Sequence, residues 1–152
     1  MPPQISVEPD DTLYDRLGGR ETLERVHKAL YDKLYAHPWL KHFFQGKDQK
    51  HQENQQTEFM MRSMGGPKVF GGRLPRAAHE HLFITEEVFD LRHKILCETL
   101  DECGIPVELA RRWAYIDWCF KEAVVKAGVD ECRKRFTTDE IIVVEKPKGL
   151  KD

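Results

Sequence analysis

The sequence predicts a single, all-α domain, and three observations support this prediction. Apolar side chains recur at three- and four-residue spacing in several segments, the pattern of helices that bury one face. Glycine and proline fall between these segments, where they end helices. Strand-like alternation does not repeat along the chain, and no internal repeat is present. The 152 residues are enough for one domain with a single core.

The first part of the chain predicts a lead-in and two helices. Residues 1–10 contain three prolines and few apolar groups, so we expect a flexible lead-in. A short helix over 12–17 ends at Gly18, the first residue of a glycine pair. The first long helix spans 21–36. Its buried stripe consists of Leu23, Val26, Leu30, Tyr31, Leu34 and Tyr35.

Pro38 ends this helix, because proline lacks an amide donor and disfavours helix in the residue before it. A compact apolar turn follows at 39–44, and the next helix spans 47–64. Residues 65–75 contain four glycines and two prolines, too many for a regular helix. We expect an ordered loop or one very short helical turn there.

Two more helices and an extension complete the chain. Thr85 predicts the N-cap of a helix with acidic residues in its first turn. Its apolar face consists of Val88, Phe89, Leu91, Ile95, Leu96 and Leu100. Pro106 favours the start of a last helix over about 107–127. Residues 128–152 form a charged extension. Its IIVVE stretch (141–145) is strand-like but has no strand to pair with, so we expect an extended or helical tail.

Composition excludes several classes of function. The net charge is -2 and no long run carries one sign, which argues against a nucleic-acid binder or a membrane-surface binder. No apolar stretch approaches the roughly 20 residues that cross a bilayer. The acidic N-terminus lacks the apolar core of an export signal, so we expect a cytoplasmic protein.

The four cysteines favour free thiols. Cys97, Cys103, Cys119 and Cys132 form no C-x-x-C pair, which disfavours a structural zinc site. A redox-sensing thiol protein is a further alternative, but Cys97 and Cys103 lie six apart on a helix, too far around it for an easy bridge.

The histidines predict no known catalytic motif. The seven histidines are scattered without an H-E-x-x-H pattern, and neither a phosphate-binding loop nor a G-x-S-x-G motif is present. His79 and His81 lie two apart, which on a helix directs them to nearly opposite sides. They cannot easily share one metal ion.

A polar constellation is more informative. Tyr31 falls on a buried stripe although its hydroxyl needs a partner there. Gln52 and Gln56 lie four apart on one helix face, with Gln55 beside them. Inward-facing amides are costly unless they are hydrogen-bonded, so they indicate a polar pocket. The alternative is a solvated glutamine face and a tyrosine at its rim.

Together, the order and spacing of several motifs resemble the truncated, two-over-two haemoglobins. These motifs are TLYDRLGGRETLERV, LYDKLY, LKHFFQG, the Q-x-x-x-Q pair, MGGPKVFGG and RAAHEHLFIT followed by FD. The resemblance covers residues 11–127 and is closest to the first of three subgroups, from Phe44 and the paired glutamines. It implies a truncated globin fold over 11–127 that binds haem b.

The resemblance also implies roles for individual residues. His79 matches the proximal iron ligand. His81 is a competitor, two residues from the family register. Tyr31, Gln52 and Gln56 match distal positions that stabilise a bound ligand. Further cofactor contacts are expected from Phe44, Lys47, Gln55, Phe59, Met60, Phe70, Arg76, Phe83, Ile84 and Phe89, with Arg73 as another candidate at the haem edge.

Arg92 departs from the family pattern. It falls where the first subgroup has a small apolar residue and the other two have tryptophan. We expect either that Arg92 reaches outward from a shifted helix, or that a one-residue slip turns Leu91 inward.

The resemblance implies a protein that binds O2, NO or CO. Three distal hydrogen-bond donors would slow the escape of the bound ligand. Slow escape suits NO and O2 chemistry or ligand sensing better than bulk oxygen transport. Two enzyme activities are compatible with the resemblance, nitric oxide dioxygenation and peroxidase-like chemistry. A catalytic role would need a reductase. We expect a monomer or weak dimer. The alternative is a cofactor-free helical interaction module that presents its tryptophan-rich last helix to a partner.

Overall fold

The computed structural model describes residues 12–150, so the predicted lead-in over 1–10 lies outside the described residues. Helices dominate this range and confirm the all-α class. The α-helices are α1 (Leu13–Leu17), α2 (Arg20–Ala36), α3 (Gln49–Ser63), α4 (Pro75–His79), α5 (Glu86–Glu102), α6 (Val107–Trp118) and α7 (Lys121–Val124), and 3₁₀ turns span Leu40–Phe44 and Val129–Glu131. Of the helices within 12–150, none is long and apolar enough to cross a membrane.

Two pairs of helices form the body of the fold. Helix α2 packs on α3, α5 packs on α6, and α2 also contacts α5. The apolar stripe predicted for α2 lies in the centre of this arrangement. The least exposed side chains of the core include Leu23, Val26, Leu30, Leu96, Leu100 and Trp113. Each such side chain contributes about 1.5–3 kcal/mol by leaving water, so these contacts hold the two pairs together.

Local signals set the helix ends. The hydroxyl of Thr85 accepts the amide N–H of Val88 at 3.2 Å, which confirms the predicted N-cap of α5. Helix α3 begins at Gln49, two residues later than predicted, because the Asp48 carboxylate accepts the N–H of His51 at 2.9 Å and caps it there.

The last predicted helix is interrupted. The continuous helix over 107–127 is wrong: α6 ends at Trp118, and α7 resumes at Lys121 after a break. The amide of Cys119 turns back onto the carbonyls of Tyr115 and Asp117, which closes α6. The break places the Phe120 ring against Phe59, with 5.1 Å between centroids. The cleft described below thereby gains an aromatic wall.

The C-terminal extension pairs with another segment of the chain, and the sequence pattern did not predict this pairing. Residues 132–142 run beside the segment that follows α4, where Ile142 donates its N–H to the His81 carbonyl at 2.9 Å and accepts the N–H of Phe83 at 2.9 Å. The expectation of an unpaired tail is therefore wrong. Farther along, Lys146 contacts Glu87 at 2.7 Å. The tail is fastened to the same segment that carries His79.

The core also contains an uncharged histidine. His27 of α2 is 1% exposed, its Nδ1 lies 2.7 Å from the Thr57 hydroxyl, and its ring meets Trp113 edge-on. Burial lowers the pKa of His27 to about 3. Near neutral pH this histidine is therefore a neutral hydrogen-bonding member of the core.

We expect acid to weaken the fold through His27. The unfolded chain binds the proton at about pH 6.5 and the folded chain only near 3, so in that window acidification favours unfolding. Between pH 7 and 4.5 the contribution of His27 is about 3 kcal/mol. Urea denaturation at both pH values measures it: His27→Asn should lose less stability on acidification than the wild type. His42→Asn, at a half-buried position, is the matched control. Equal losses in wild type and His27→Asn would contradict the expectation.

Candidate functional site

A cleft of about 380 Å³ opens between α2, α3, α4, α5 and the α6–α7 break. Its volume lies within the range of small-molecule and cofactor pockets. Apolar and aromatic side chains form most of its wall, and polar groups are concentrated at a few points. Such a cavity suits a mainly apolar molecule that is oriented by polar contacts.

The structure brings together most of the residues that the sequence singled out. The predicted residues that line the cleft are Tyr31, Phe44, Lys47, Gln52, Gln55, Gln56, Phe59, Phe70, Arg73, His79, Ile84 and Phe89. Three predicted contacts lie elsewhere. Met60 is 1% exposed within the helical core, Phe83 pairs through its backbone with the extension, and Arg76 is exposed on α4. The competitor His81 also lines the cleft.

Aromatic rings hold the walls in place. Phe44 stacks on Tyr35 with 4.8 Å between centroids and meets the Tyr31 ring edge-on at 5.9 Å. On the other side, Phe59 meets Phe70 edge-on at 5.3 Å. These offset and edge-on contacts are the preferred geometries of aromatic pairs, so the cleft has stiff walls.

The glycine-rich loop needs glycine where it approaches this wall. A Cβ at Gly72 would lie 2.4 Å from Oε1 of Gln55 and 2.7 Å from the Phe70 ring. Glycine thus lets the loop approach α3 closely, and a larger residue here would require the Gln55 and Phe70 side chains to move.

Helix α4 orients one imidazole. It starts with Pro75 in its first turn, and four residues later Nδ1 of His79 lies 2.7 Å from the Pro75 carbonyl oxygen. A carbonyl oxygen only accepts, so Nδ1 carries the hydrogen and donates it. Burial lowers the pKa of His79 to about 4, which leaves the ring neutral. The lone pair is then on Nε2, the state in which histidine binds metals.

His81 lacks this arrangement. It is 3% exposed, and both of its ring nitrogens are buried without a hydrogen-bond partner in the described part of the chain. Burial also lowers the pKa of His81 to about 4. No carbonyl fixes its tautomer, whereas His79 has an oriented ring. The geometry therefore favours His79 over His81 as a ligand.

The donor set decides what kind of metal fits. Over residues 12–150, no group of three or more His, Cys, Asp or Glu side chains could hold a metal ion. One oriented imidazole in an apolar cleft cannot complete a coordination sphere by itself. It does fit a metal that brings its other ligands in a flat organic ring, as iron does in haem.

The wall formed by α2 and α3 supplies hydrogen-bond donors. Tyr31 is 6% exposed, and its hydroxyl makes no hydrogen bond to any residue of the described range. Burial raises the pKa of Tyr31 to about 12, so the phenol keeps its proton at neutral pH. Gln52 and Gln56 also line the cleft, where both side chains are half-buried. This wall can donate to a small polar ligand.

The position of Arg92 differs from the expectation that it reaches outward. This expectation is wrong, since the Arg92 side chain itself lines the cleft, while Leu91 packs partly buried against the core. Nη1 of Arg92 donates to Oδ1 of Asp117 at 2.8 Å, and Nδ1 of His93 lies 2.8 Å from Oδ2 of the same carboxylate. The sequence analysis missed Asp117 and His93. No local signal links Asp117 of α6 to Arg92 of α5.

Lys126 secures the segment that carries His79. Its Nζ donates to the carbonyls of His79, Leu82 and Val124 at 2.8, 2.9 and 3.1 Å. Its backbone N–H also donates to the Ile84 carbonyl at 2.9 Å. The ammonium group thus ties the end of α4 to the chain after α7. The position of Lys126 in the sequence does not predict these contacts, because their acceptors lie mostly in a distant segment.

We expect Lys126→Met to lower the free energy of unfolding by about 2 kcal/mol, because three carbonyls lose a charged donor. Urea denaturation of the protein measures the change. Lys134→Met, at an exposed position of the extension, is the control and should leave stability within about 0.5 kcal/mol of the wild type. Equal stabilities of the two variants would show that the contacts to the carbonyls do not fasten this segment.

The alternative of a cofactor-free module depends on the last helix. Trp113 of α6 is 1% exposed and belongs to the core. Trp118 is 44% exposed but packs edge-on against Phe89 and His93. The tryptophans therefore serve the core and the rear of the cleft rather than one free apolar face.

Comparisons with known proteins agree with this geometry. The family model described as bacterial-like globin matches residues 12–124. A group 1 truncated hemoglobin of Tetrahymena pyriformis is 34% identical over 94 residues, which cover 62% of this chain and 78% of that protein. The matched segment of the family model ends before the extension.

Solved structures give the same result. The Fe(III) form of truncated hemoglobin from Tetrahymena pyriformis superimposes with a TM-score of 0.68 at 29% identity, covering 75% of this chain and 97% of that one. The 2/2 hemoglobin of Synechococcus in its cyanomet state, with covalently attached heme, gives 0.66 at 29% identity, covering 70% and 90%. The truncated two-over-two fold and the resemblance to the first subgroup are confirmed.

Proposed function

The chain belongs to the bacterial-like globin family, and we propose that it holds its haem b on His79 and binds a diatomic ligand beside Tyr31. Haem b is the cofactor of this family, and diatomic ligands such as O2 are what the family binds. The observation that carries the proposal is the His79 ring, which is held by the Pro75 carbonyl with Nε2 left for a metal.

When bound, haem supplies a ferrous iron that takes O2, NO or CO and can give up one electron as NO and O2 combine to nitrate. His79 anchors and orients the cofactor, since its Nδ1–H is committed to a backbone carbonyl. The apolar rings around it lower the local dielectric constant, which strengthens polar contacts beside them.

The opposite wall holds the ligand. Tyr31 keeps its proton because burial raises its pKa, and it donates toward negative charge on the ligand. The amides of Gln52 and Gln56 add donors at the same wall. Solved variants of the Tetrahymena pyriformis protein exchange one tyrosine and two glutamines whose spacing along that chain equals that of Tyr31, Gln52 and Gln56 here. This agreement supports the assignment of the three donors.

The rate at which the bound ligand escapes distinguishes O2 transport from a reaction of the bound ligand. Each donor contributes about 1 kcal/mol, and more toward a charged acceptor, so the three together slow escape by about 100-fold or more. A ligand held so firmly serves reaction or sensing better than transport. We propose nitric oxide dioxygenation as the reaction, with a reductase that returns the electron. A monomeric or weakly dimeric protein of the cytoplasm completes the proposal.

Nitrate analysis after rapid mixing tests this function. The reduced, oxygenated protein is mixed with one equivalent of NO per haem, and nitrate is measured while the absorption spectrum is followed. The proposal expects about one nitrate per haem together with conversion to the ferric spectrum. Displacement of O2 by NO without nitrate would overturn the dioxygenase role and favour sensing.

A further inference from the structure

The Arg92 guanidinium is a cation inside a mostly apolar cleft. Its side chain is 24% exposed and lines the cavity. Within residues 12–150 its hydrogen bonding consists of the single contact from Nη1 to Asp117. Guanidinium has five N–H donors, so four remain for another acceptor. An acceptor inside the cleft would meet a charged donor already in place.

Its carboxylate partner is fully engaged. Oδ1 of Asp117 accepts from Arg92 and Oδ2 is 2.8 Å from Nδ1 of His93, with a carboxylate side chain that is 8% exposed. The two contacts hold the negative charge of Asp117 at one side of the Arg92 guanidinium. This carboxylate compensates only part of the cost of burying the Arg92 charge. His93 is fixed in turn by Phe89, whose ring stacks on it at 6.3 Å between centroids. The cation is therefore held by a rigid support on α5 and α6.

The charge acts across the cavity. Arg92 and Tyr31 line the same cavity, and Arg92 works against the dominant effect of burial by lowering the pKa of the Tyr31 phenol. The charge of Arg92 therefore acts on the donor wall of the cleft. A ligand that stays uncharged when bound, such as imidazole, gains little from a full positive charge, whereas an anion gains a charge-assisted hydrogen bond.

We propose that Arg92 is a specificity-determining residue that gives the cleft a selective affinity for small monovalent anions. This inference rests on the proposed function, because it concerns a ligand bound beside Tyr31 in the haem-loaded protein. Tyr31 supplies a neutral donor, and Arg92 supplies a charge that favours anionic over neutral ligands.

Ligand titrations of the ferric, haem-loaded protein test the inference. Fluoride is the anionic probe and imidazole the neutral one, and absorption spectra give the dissociation constant of each. In Arg92→Leu we expect the dissociation constant of fluoride to rise about tenfold or more, while that of imidazole changes less than about threefold. Arg62→Leu removes the same charge from an exposed position on α3 and should leave both constants unchanged.

A second variant separates charge from structure. Asp117→Asn removes the compensating carboxylate and keeps the guanidinium, so fluoride should bind more tightly than in the wild type. A merely structural ion pair would instead weaken both probes in both variants. A ratio of fluoride to imidazole affinity that stays the same in Arg92→Leu and Arg62→Leu would overturn the inference. Failure of the proposed function is distinguishable, because wild-type protein would then show no haem absorption or no response to either probe.

Discussion

Replacement of His79 by glycine is expected to abolish stable retention of haem. The variant loses the only cleft-lining imidazole of the described chain whose tautomer a carbonyl fixes. Glycine has no side chain, so the variant contains a space that free imidazole can enter. We therefore expect weak haem binding in buffer and recovery of the haem absorption band when imidazole is added at millimolar concentration.

His81→Gly is the matched control for this experiment. His81 lines the same cleft and is two residues away, but both of its nitrogens are sealed and unpartnered within residues 12–150. We expect the control to keep its haem and its spectrum. Loss of haem in His81→Gly together with an unchanged spectrum in His79→Gly would move the iron ligand to His81.

Tyr31→Phe is expected to raise the rate of O2 dissociation by about 10- to 100-fold. The substitution removes the hydroxyl and keeps the ring that meets Phe44 at 5.9 Å between centroids. A hydrogen bond toward a ligand that carries negative charge contributes about 1.5–3 kcal/mol, which gives this range of rates. Stopped-flow displacement of O2 by CO from the ferrous protein measures the change.

Tyr35→Phe provides the same chemical change outside the cleft. The Tyr35 hydroxyl donates to the Lys47 carbonyl at 3.0 Å. Its removal should alter stability by about 1 kcal/mol and leave the O2 dissociation rate within about twofold. Similar rates in Tyr31→Phe and the wild type would contradict the role assigned to the donor wall.

Those parts of the fold that depend on local sequence could be predicted. The stripe of α2 follows from side chains three and four residues apart, and the cap at Thr85 follows from a hydroxyl and one nearby amide. Both interactions lie within a few residues of chain.

The failures concern partners that are distant in sequence. The break after Trp118 serves a contact between Phe120 and Phe59, and no periodicity within α6 reveals it. The extension pairs with an irregular segment about 60 residues earlier, so its strand-like composition lacked a recognisable partner. Two backbone hydrogen bonds of Ile142 form an isolated bridge there, which only the tertiary fold creates.

The candidate site shows the same division. Spacing and resemblance singled out His79, Tyr31 and the glutamines, whose motifs are continuous in sequence, and the structure places these residues around one cleft. One of the two expectations directed Arg92 outward, because the family pattern has a small apolar residue or tryptophan at this position. A lone buried charge is unfavourable. The compensating carboxylate comes from Asp117, 25 residues away, and makes the inward position tolerable. A charge pair between two helices cannot be found from one helix alone.

A crystal structure of the ferric, haem-loaded protein tests the account most directly. It should show the macrocycle between the α3 wall and α4, with iron on Nε2 of His79 and the Nδ1 hydrogen bond to Pro75 preserved. Iron bound by His81, or a cleft closed by the protein's own side chains with the macrocycle elsewhere, would contradict it.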